Sequence, residues 1–181
     1  MISRRLTGLV LLFVFTTVLF NACKNKENDK KIDIQKNSVT SSSKIQVEDV
    51  LNDYMKAWAE HDIAKIASHY HANVTWYDLP SNNLTKGKAK VTKAITDAFM
   101  GYVPDMYWVK RGDFFVSGNT AIYEWTYGGT FNGDWGNKHI KNKKFSIQGI
   151  STTTIDDNGK IISQKDYYDL DSFKRSVGAI K

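Results

Sequence analysis

The sequence holds one cysteine and two prolines among its 181 residues, and its apolar runs are short. A single cysteine excludes an internal disulfide, so the fold must be stable without covalent cross-links. The longest mostly apolar run, residues 9–20, is about a dozen residues long, whereas a membrane-spanning helix needs about 20. The sequence also lacks a phosphate-cradling glycine loop and a nucleophile elbow, which argues against the common nucleotide-binding and serine-hydrolase classes.

The position of the only cysteine predicts export and lipidation. Arg4 and Arg5 precede the apolar run, and Ala22 lies directly before Cys23. Such an order is typical of a secretory signal peptide. Residues 19–23 resemble the lipobox of bacterial lipoproteins, in which the cysteine becomes the lipidated first residue. We expect residues 1–22 to be the signal peptide and Cys23 to anchor the exported chain to a bacterial cell-envelope membrane. The alternative is an ordinary signal peptide with a chance cysteine.

Residues 23–44 have the composition of a flexible tether. They contain six lysines, three acidic residues and almost no large apolar side chain, so they cannot bury enough surface to offset the entropy of ordering. The remaining residues, 45–181, are enough for one compact domain. The net charge of +6 comes mainly from the first 44 residues, because residues 45–181 carry 17 basic and 16 acidic side chains. A nearly balanced domain lacks the basic surface of a nucleic-acid binder.

The hydrophobic period predicts an α+β fold in which N-terminal helices pack on a curved antiparallel sheet. We expect helices over residues 47–58, 63–70 and 88–102, a strand over 74–78, long strands over 106–115, 120–131, 145–155 and 160–170, and a short last helix. Asp62 is the expected N-cap of the second helix, and Asp169 and Asp171 are the candidates to cap the last one. Loops are expected where glycine and asparagine cluster, including residues 133–142.

Alternation along the strands predicts an aromatic pocket that contains two carboxylates. If Asp166 points inward, Gln164 and Tyr168 point inward with it, and Trp76 shares a face with Asp78. The expected pocket residues are Trp58, Trp76, Phe99, Tyr123, Trp125, Tyr127, Gln164 and Tyr168. Aromatic walls with a few polar groups are typical of sites for small organic ligands. Taken singly, the same aromatic residues also fit an ordinary core, and Asp78 also fits a turn-stabilising role before Pro80.

Asp166, Asp78 and Tyr54 are the candidate catalytic residues. Two carboxylates that converge in an apolar cavity repel each other, so at least one pKa should be raised toward neutrality. Such a pair can move a proton at a carbon next to a carbonyl group, while Tyr54 donates a hydrogen bond to the developing enolate.

The order of elements and three stretches of sequence resemble the nuclear transport factor two-like superfamily. Residues 53–80 are similar to the opening of the ketosteroid isomerases, and residues 87–95 to the family's helix start. Residues 159–170 are similar to the terminal strand of limonene-epoxide hydrolases and SnoaL-like polyketide cyclases. The resemblance implies a conical α+β barrel with a pocket between sheet and helices. This superfold serves isomerases, cyclases, dehydratases, hydrolases and non-catalytic binders, so it implies the fold more strongly than the reaction.

Position by position, the resemblance also implies roles for pocket residues. Tyr54 and Asp78 fall where ketosteroid isomerases keep the oxyanion-stabilising tyrosine and the proton-shuttling aspartate, and Ser151 lies near the place of their third, protonated acid. Aromatic residues on the strand at 120–131 replace the arginine and second aspartate of the epoxide hydrolases. Asp166 can fill the role of the single acid/base aspartate of SnoaL-like cyclases.

Together these features predict a membrane-tethered SnoaL-like domain that takes a small hydrophobic molecule and performs cofactor-free isomerase, cyclase or dehydratase chemistry. The alternative is a non-catalytic ligand-binding or accessory lipoprotein of the cell envelope. No metal is expected, because His61, His69 and His71 lack the spacing of a ligand set. The outward residues of the strands at 120–131 and 160–170 lie on the face that this superfamily often pairs, so we expect a homodimer.

Overall fold

The computed structural model describes residues 46–181, so the expected signal peptide, Cys23 and the tether lie outside the described residues. The helices in this range are α1 (Val47–Ala59), α2 (Ile63–Ser68), α3 (Lys88–Ala94), which continues as a π-helical turn (Ile95–Met100), and α4 (Leu170–Ser176). The strands are β1 (Tyr70–Asp78), β2 (Asn83–Lys86), β3 (Tyr107–Ser117), β4 (Thr120–Trp135), β5 (Lys138–Ile155) and β6 (Ile161–Tyr168). The expected mixed α+β class is confirmed.

Side-chain caps and a buried stripe fix the helices. The Oδ1 of Asp62 accepts the Lys65 backbone N–H at 2.9 Å, and the Oδ1 of Asp169 accepts the Ser172 backbone N–H at 2.9 Å. Both caps were expected from the sequence. Helix α1 buries a stripe of apolar residues at helical spacing, Val47, Leu51, Tyr54 and Trp58 among them. None of the helices in residues 46–181 combines the length and apolarity needed to cross a bilayer.

The six strands form one sheet in the order β2-β1-β6-β5-β4-β3. Strands β3 to β6 are an antiparallel meander, as the sequence predicts. The expectation of an antiparallel sheet throughout is wrong at one pair, because β1 runs parallel to β6. A parallel pair needs a long crossover, and the helices and the meander between β1 and β6 provide it. This pairing places Asp78 directly beside Asp166.

The structure differs most from the sequence prediction in three other regions. Helix α2 ends at Ser68, because Tyr70 already belongs to β1 and is buried against α1. The chain after Pro80 turns back and forms the edge strand β2 on β1. The expected loop at 133–142 is instead a tight hairpin, in which Trp135 pairs with Lys138.

The two faces of the sheet differ in burial. Along β4, Tyr123, Trp125 and Tyr127 are buried, whereas Glu124 between them is exposed. The sheet is interrupted by bulges, including one between Phe131 and Gly133, and bulges bend and twist the strands that contain them. The inner face therefore curves around the core. The outer face leaves large apolar side chains in contact with solvent, namely Val109, Ile122 and Ile150.

Candidate functional site

A cavity of about 350 Å³ lies on the inner face of the sheet, which is large enough for a small organic molecule. The aromatic residues in its wall are Trp58, Tyr70, Trp76, Phe99, Tyr102, Trp108, Trp125, Tyr127, Phe131, Trp135, Tyr168 and Phe173. The polar residues in its wall are Asp78, Ser81, Asn83, Gln164 and Asp166. The lining therefore combines many aromatic rings with two carboxyl groups.

Ring-to-ring contacts hold the aromatic wall in place. The ring centroid of Phe99 lies 5.4 Å from that of Trp76, 5.5 Å from that of Tyr127 and 6.0 Å from that of Trp58. Phe99 lies in the π-helical turn, and such turns often occur at functional sites. Gly149 makes room for another wall residue, because a Cβ atom at this position would lie 2.3 Å from the Trp125 ring.

Asp166 is the most heavily hydrogen-bonded side chain of the wall. It lies in the inward row of β6, and only 8% of its surface is exposed. The Trp76 indole N–H donates to its Oδ2 at 2.6 Å. The Ser151 hydroxyl donates to its Oδ1 at 2.5 Å and accepts a hydrogen bond from the Trp125 indole N–H at 2.8 Å. Two elements besides β6 thus direct donors at this one carboxyl group.

The third donor to Asp166 is the Gln164 side chain, which is held in turn by buried tyrosines of α1 and β1. The Gln164 amide nitrogen lies 3.1 Å from Asp166 Oδ1, and the amide oxygen of Gln164 accepts the Tyr54 hydroxyl at 3.1 Å. The hydroxyls of Tyr54 and Tyr70 are 2.6 Å apart. Because the Tyr54 proton is given to Gln164, Tyr70 donates to Tyr54. The chain from Tyr70 to Asp166 therefore runs in one direction, and such chains strengthen each member by polarisation.

Burial and hydrogen bonding act on Asp166 in opposite directions. Burial raises the pKa of the Asp166 carboxyl above its usual range, and the neighbouring Asp78 adds to the rise. Hydrogen bonds from Ser151, Trp76 and Gln164 favour the ionised form and hold the pKa back. Burial is the largest of these influences, so the pKa of Asp166 is raised overall. A rise in this direction makes the carboxyl better suited to accept and return a proton.

Asp78 has a more open environment at the end of β1. Its Oδ2 accepts the Ser81 hydroxyl in the turn before β2 and lies 3.4 Å from the Tyr168 hydroxyl. Its Oδ1 is buried and has no hydrogen-bond partner among residues 46–181. Asp78 thus supports the turn through one oxygen, and its other oxygen has no partner among residues 46–181.

The structure brings together most residues that the sequence singled out. The expected residues that line the cavity are Trp58, Trp76, Asp78, Phe99, Trp125, Tyr127, Gln164, Asp166 and Tyr168. Tyr54 and Tyr123 do not line it. Tyr54 is fully buried behind Tyr70 and Trp108, and its hydroxyl is engaged by Gln164. Tyr123 lies under Trp108 and Phe114, and its hydroxyl contacts Thr153 at 3.1 Å.

Several cavity residues were not expected from the sequence. Tyr70 continues the helical apolar pattern of the preceding residues, so the sequence places it at the end of a helix. Trp108 could have been found by alternation along β3, because Trp108 is buried between exposed Tyr107 and Val109. The aromatic residues at the other end of the cavity, Tyr102, Phe131, Trp135 and Phe173, come together only through the bend of the β4–β5 hairpin and the packing of α4.

The three clustered histidines have other partners. His61 Nε2 lies 2.9 Å from the Met106 carbonyl oxygen, and His71 Nδ1 accepts the Asn73 backbone N–H. Burial lowers the pKa of His69, although its Nε2 lies 3.4 Å from Asp53 Oδ2. In the described part of the chain, no group of three or more histidine, cysteine or acidic side chains is arranged to hold a metal ion.

The fold is shared with solved structures that are named as nuclear transport factor two-like and as having a ketosteroid isomerase-like fold. The family model of the SnoaL-like polyketide cyclases matches residues 48–176, and the chain belongs to this family. No curated protein sequence matches the chain significantly.

Solved structures with low sequence identity share the fold. One from Shewanella denitrificans, named as a SnoaL-like polyketide cyclase, has 19% identity and a TM-score of 0.64, over 74% of this chain and 98% of its own. TsrD from Streptomyces laurentii has 22% identity and a TM-score of 0.62, over 74% of this chain and 96% of its own. AclR from Streptomyces galilaeus has 15% identity and a TM-score of 0.63, over 75% of this chain and 97% of its own. At these identities the likeness establishes the fold alone.

Proposed function

We propose that the domain binds a small, mostly apolar organic molecule in the aromatic cavity and that Asp166 acts on it as a general acid/base without a cofactor. The observation that carries the proposal is the Asp166 carboxyl, which lines the cavity, is nearly buried and receives donors from three directions. Isomerisation, cyclisation and dehydration all need one proton to be removed and one returned. A single positioned carboxyl group can do both.

The cavity lining favours proton transfer over a hydrolysis that needs a basic side chain paired with an acidic one. The sequence resemblance implies that Trp125 and Tyr127 take the places of charged residues of the epoxide hydrolases. The lining includes no lysine, arginine or histidine among residues 46–181. Asp166 has Asp78 beside it on the parallel strand. The neighbouring carboxyl contributes to the raised pKa of Asp166, so it supports the acid/base role without needing to touch the reacting carbon.

Native mass spectrometry and a matched pair of variants can test this function. The purified protein is incubated with extract of its own cells, and retained molecules are identified by mass. The Ala98→Trp variant, which places a large ring at an exposed position of the lining, should lose the retained molecule. Incubation of that molecule with wild type should change its structure or exchange its carbon-bound hydrogen with solvent. The Asp166→Asn variant should bind it without that change.

A non-catalytic binding role is the second candidate. It is favoured by the completeness of the Asp166 hydrogen bonds, because a carboxylate that accepts from Trp76, Ser151 and Gln164 already has a structural function. In this case the retained molecule should emerge chemically unchanged from wild type and Asp166→Asn alike. Retention by Ala98→Trp as strong as by wild type would contradict both candidates.

We further propose that lipidated Cys23 anchors the protein to a bacterial cell-envelope membrane and that residues 23–44 tether the domain. The support is the order of basic residues, apolar run and cysteine in the sequence. A homodimer through the outer face of the sheet is proposed on a different ground. Val109, Ile122 and Ile150 are each more than 40% exposed there, and exposed apolar patches mark interaction surfaces.

A further inference from the structure

The cavity contains two acidic side chains and no basic one. Asp78 and Asp166 both line it, and the part of the lining that the structure describes includes no lysine, arginine or histidine. The domain as a whole is nearly balanced, with 17 basic and 16 acidic side chains from residue 45 onward. The basic side chains are therefore kept out of the cavity, and its interior has a negative potential that low-dielectric walls strengthen.

The aromatic wall adds to this potential. Trp58, Trp76, Phe99 and Tyr127 form a run of adjacent rings with centroids 5.4 to 6.0 Å apart. The faces of aromatic rings carry partial negative charge and attract cations, most strongly where water is excluded. Carboxyl groups and ring faces in one cavity are the recognition elements for an organic cation.

One carboxyl oxygen of the two aspartates has no hydrogen-bond donor among residues 46–181. Asp78 Oδ1 is buried without a partner, whereas its Oδ2 accepts from Ser81. Both oxygens of Asp166 already accept hydrogen bonds from protein donors. The Asp78 carboxyl lines the cavity and has fewer protein donors than that of Asp166, so an N–H group of a ligand would bind at Asp78, and Asp166 would contribute its charge from the neighbouring strand.

We propose that the ligand of this cavity carries a protonated amine, that is, an organic ammonium group attached to an apolar or aromatic body. This inference rests on the proposed function, because it names the chemical class of the molecule that the same cavity binds. The ammonium group would bind at Asp78 and against the rings of Trp76 and Phe99, while the apolar body fills the rest of the cavity.

Three probes of similar size test the inference: 2-phenylethylamine, 2-phenylethanol and phenylacetate. They present an ammonium, a hydroxyl and a carboxylate group on the same ring. Dissociation constants are measured with the full-length protein by calorimetry or ligand-observed NMR, at neutral pH and an ionic strength of about 0.15 M. We expect the amine to bind about tenfold or more tightly than the alcohol, and phenylacetate to bind most weakly.

Two variants show which residue causes the preference for the amine. Asp78→Asn should bring the affinity for the amine close to that for the alcohol and leave the affinity for the alcohol unchanged. The matched control Asp157→Asn, on the exposed turn before β6, should bind all three probes like wild type. Circular dichroism of Asp78→Asn verifies that the variant is folded. A preference for the amine that Asp157→Asn abolishes, or that Asp78→Asn keeps, would place the cation elsewhere and overturn the inference.

The outcomes separate this inference from the proposed function. Equal binding of the amine and the alcohol, both lost in Ala98→Trp, would overturn the ammonium inference and leave the ligand-binding function intact. Failure of the amine to bind at all would also overturn the inference. The function itself would fail if native mass spectrometry found no retained molecule, or if Ala98→Trp retained the molecule as strongly as wild type.

Discussion

Replacement of Trp76 by phenylalanine tests the site through a single hydrogen bond. The indole N–H of Trp76 donates to Asp166 Oδ2 at 2.6 Å, and its ring packs against Phe99 with centroids 5.4 Å apart. Trp76→Phe keeps an aromatic ring in the wall and removes the donor. A hydrogen bond to a charged group contributes about 1.5–3 kcal/mol, so the free energy of unfolding should fall by about this amount when Asp166 is ionised.

The loss should depend on pH in a defined direction. Removal of a donor that favours the ionised carboxyl raises the pKa of Asp166 further, by about one unit for each 1.4 kcal/mol. A carboxyl pKa that is raised in the folded state makes ionisation unfavourable for folding, so the cost appears as pH rises through that pKa. The difference in stability between wild type and Trp76→Phe should be largest at neutral pH. It should shrink as pH falls through the pKa of Asp166, because the carboxyl is then protonated in both proteins.

Urea denaturation across this pH range measures the free energies, and carbon NMR of the Asp166 carboxyl measures the pKa. Trp135→Phe is the matched control, because Trp135 lines the same cavity, packs against Phe173 and donates to no carboxylate among residues 46–181. It should lower stability by an amount that does not vary with pH. If Trp76→Phe changed neither the titration of Asp166 nor the pH dependence of unfolding, the hydrogen bond would have no energetic part in holding the carboxylate.

Four further predictions concern the rest of the chain. Cys23→Ser should release the protein from membranes and abolish labelling with a fatty-acid analogue; unchanged partition would contradict the anchor. Truncation before Lys44 should leave a soluble domain that unfolds cooperatively at nearly the same midpoint, whereas loss of the fold would show that the tether packs on it. Light scattering at micromolar concentration should give the mass of a dimer, and Ile150→Lys on the outer sheet face should shift it toward the monomer; a monomeric wild type contradicts the interface. Asp169→Ala should lower the unfolding midpoint at neutral pH but not in acid. The hydrogen bonds from Ser172 lower the pKa of Asp169, so the stability that the cap contributes is lost as pH falls through that pKa. An equal loss at all pH values would argue against the cap.

The inward-facing side chains of β6 could be predicted from the sequence, because the alternation of faces along a strand depends only on neighbouring residues. Successive side chains of a strand point to opposite faces, so an inward Asp166 requires inward Gln164 and Tyr168, and the structure has them there. The caps at Asp62 and Asp169 are local for the same reason, because each carboxyl accepts a backbone N–H three residues ahead.

Other features of the site depend on contacts distant in sequence. The pairing of Asp78 with Asp166 follows from the parallel contact of β1 and β6, and neither strand alone contains that information. Tyr70 continues a helical apolar pattern, but packing against Tyr54 and pairing with Ile161 place it in β1. The π-helical turn, which carries Phe99, has no signature in the apolar period.

The Tyr54 hydroxyl already donates a hydrogen bond within the protein, so another residue must stabilise negative charge on a substrate oxygen. Tyr54 lies behind the cavity wall and donates to Gln164, so it supports Asp166 and offers no hydrogen bond to the cavity. The Tyr168 hydroxyl is directed at Asp78. Tyr127 lines the cavity, no hydrogen bond joins its hydroxyl to another described residue, and burial raises the pKa of this hydroxyl, which keeps it protonated. If proton removal by Asp166 creates an enolate, Tyr127 on β4 is therefore the donor suited to stabilise it.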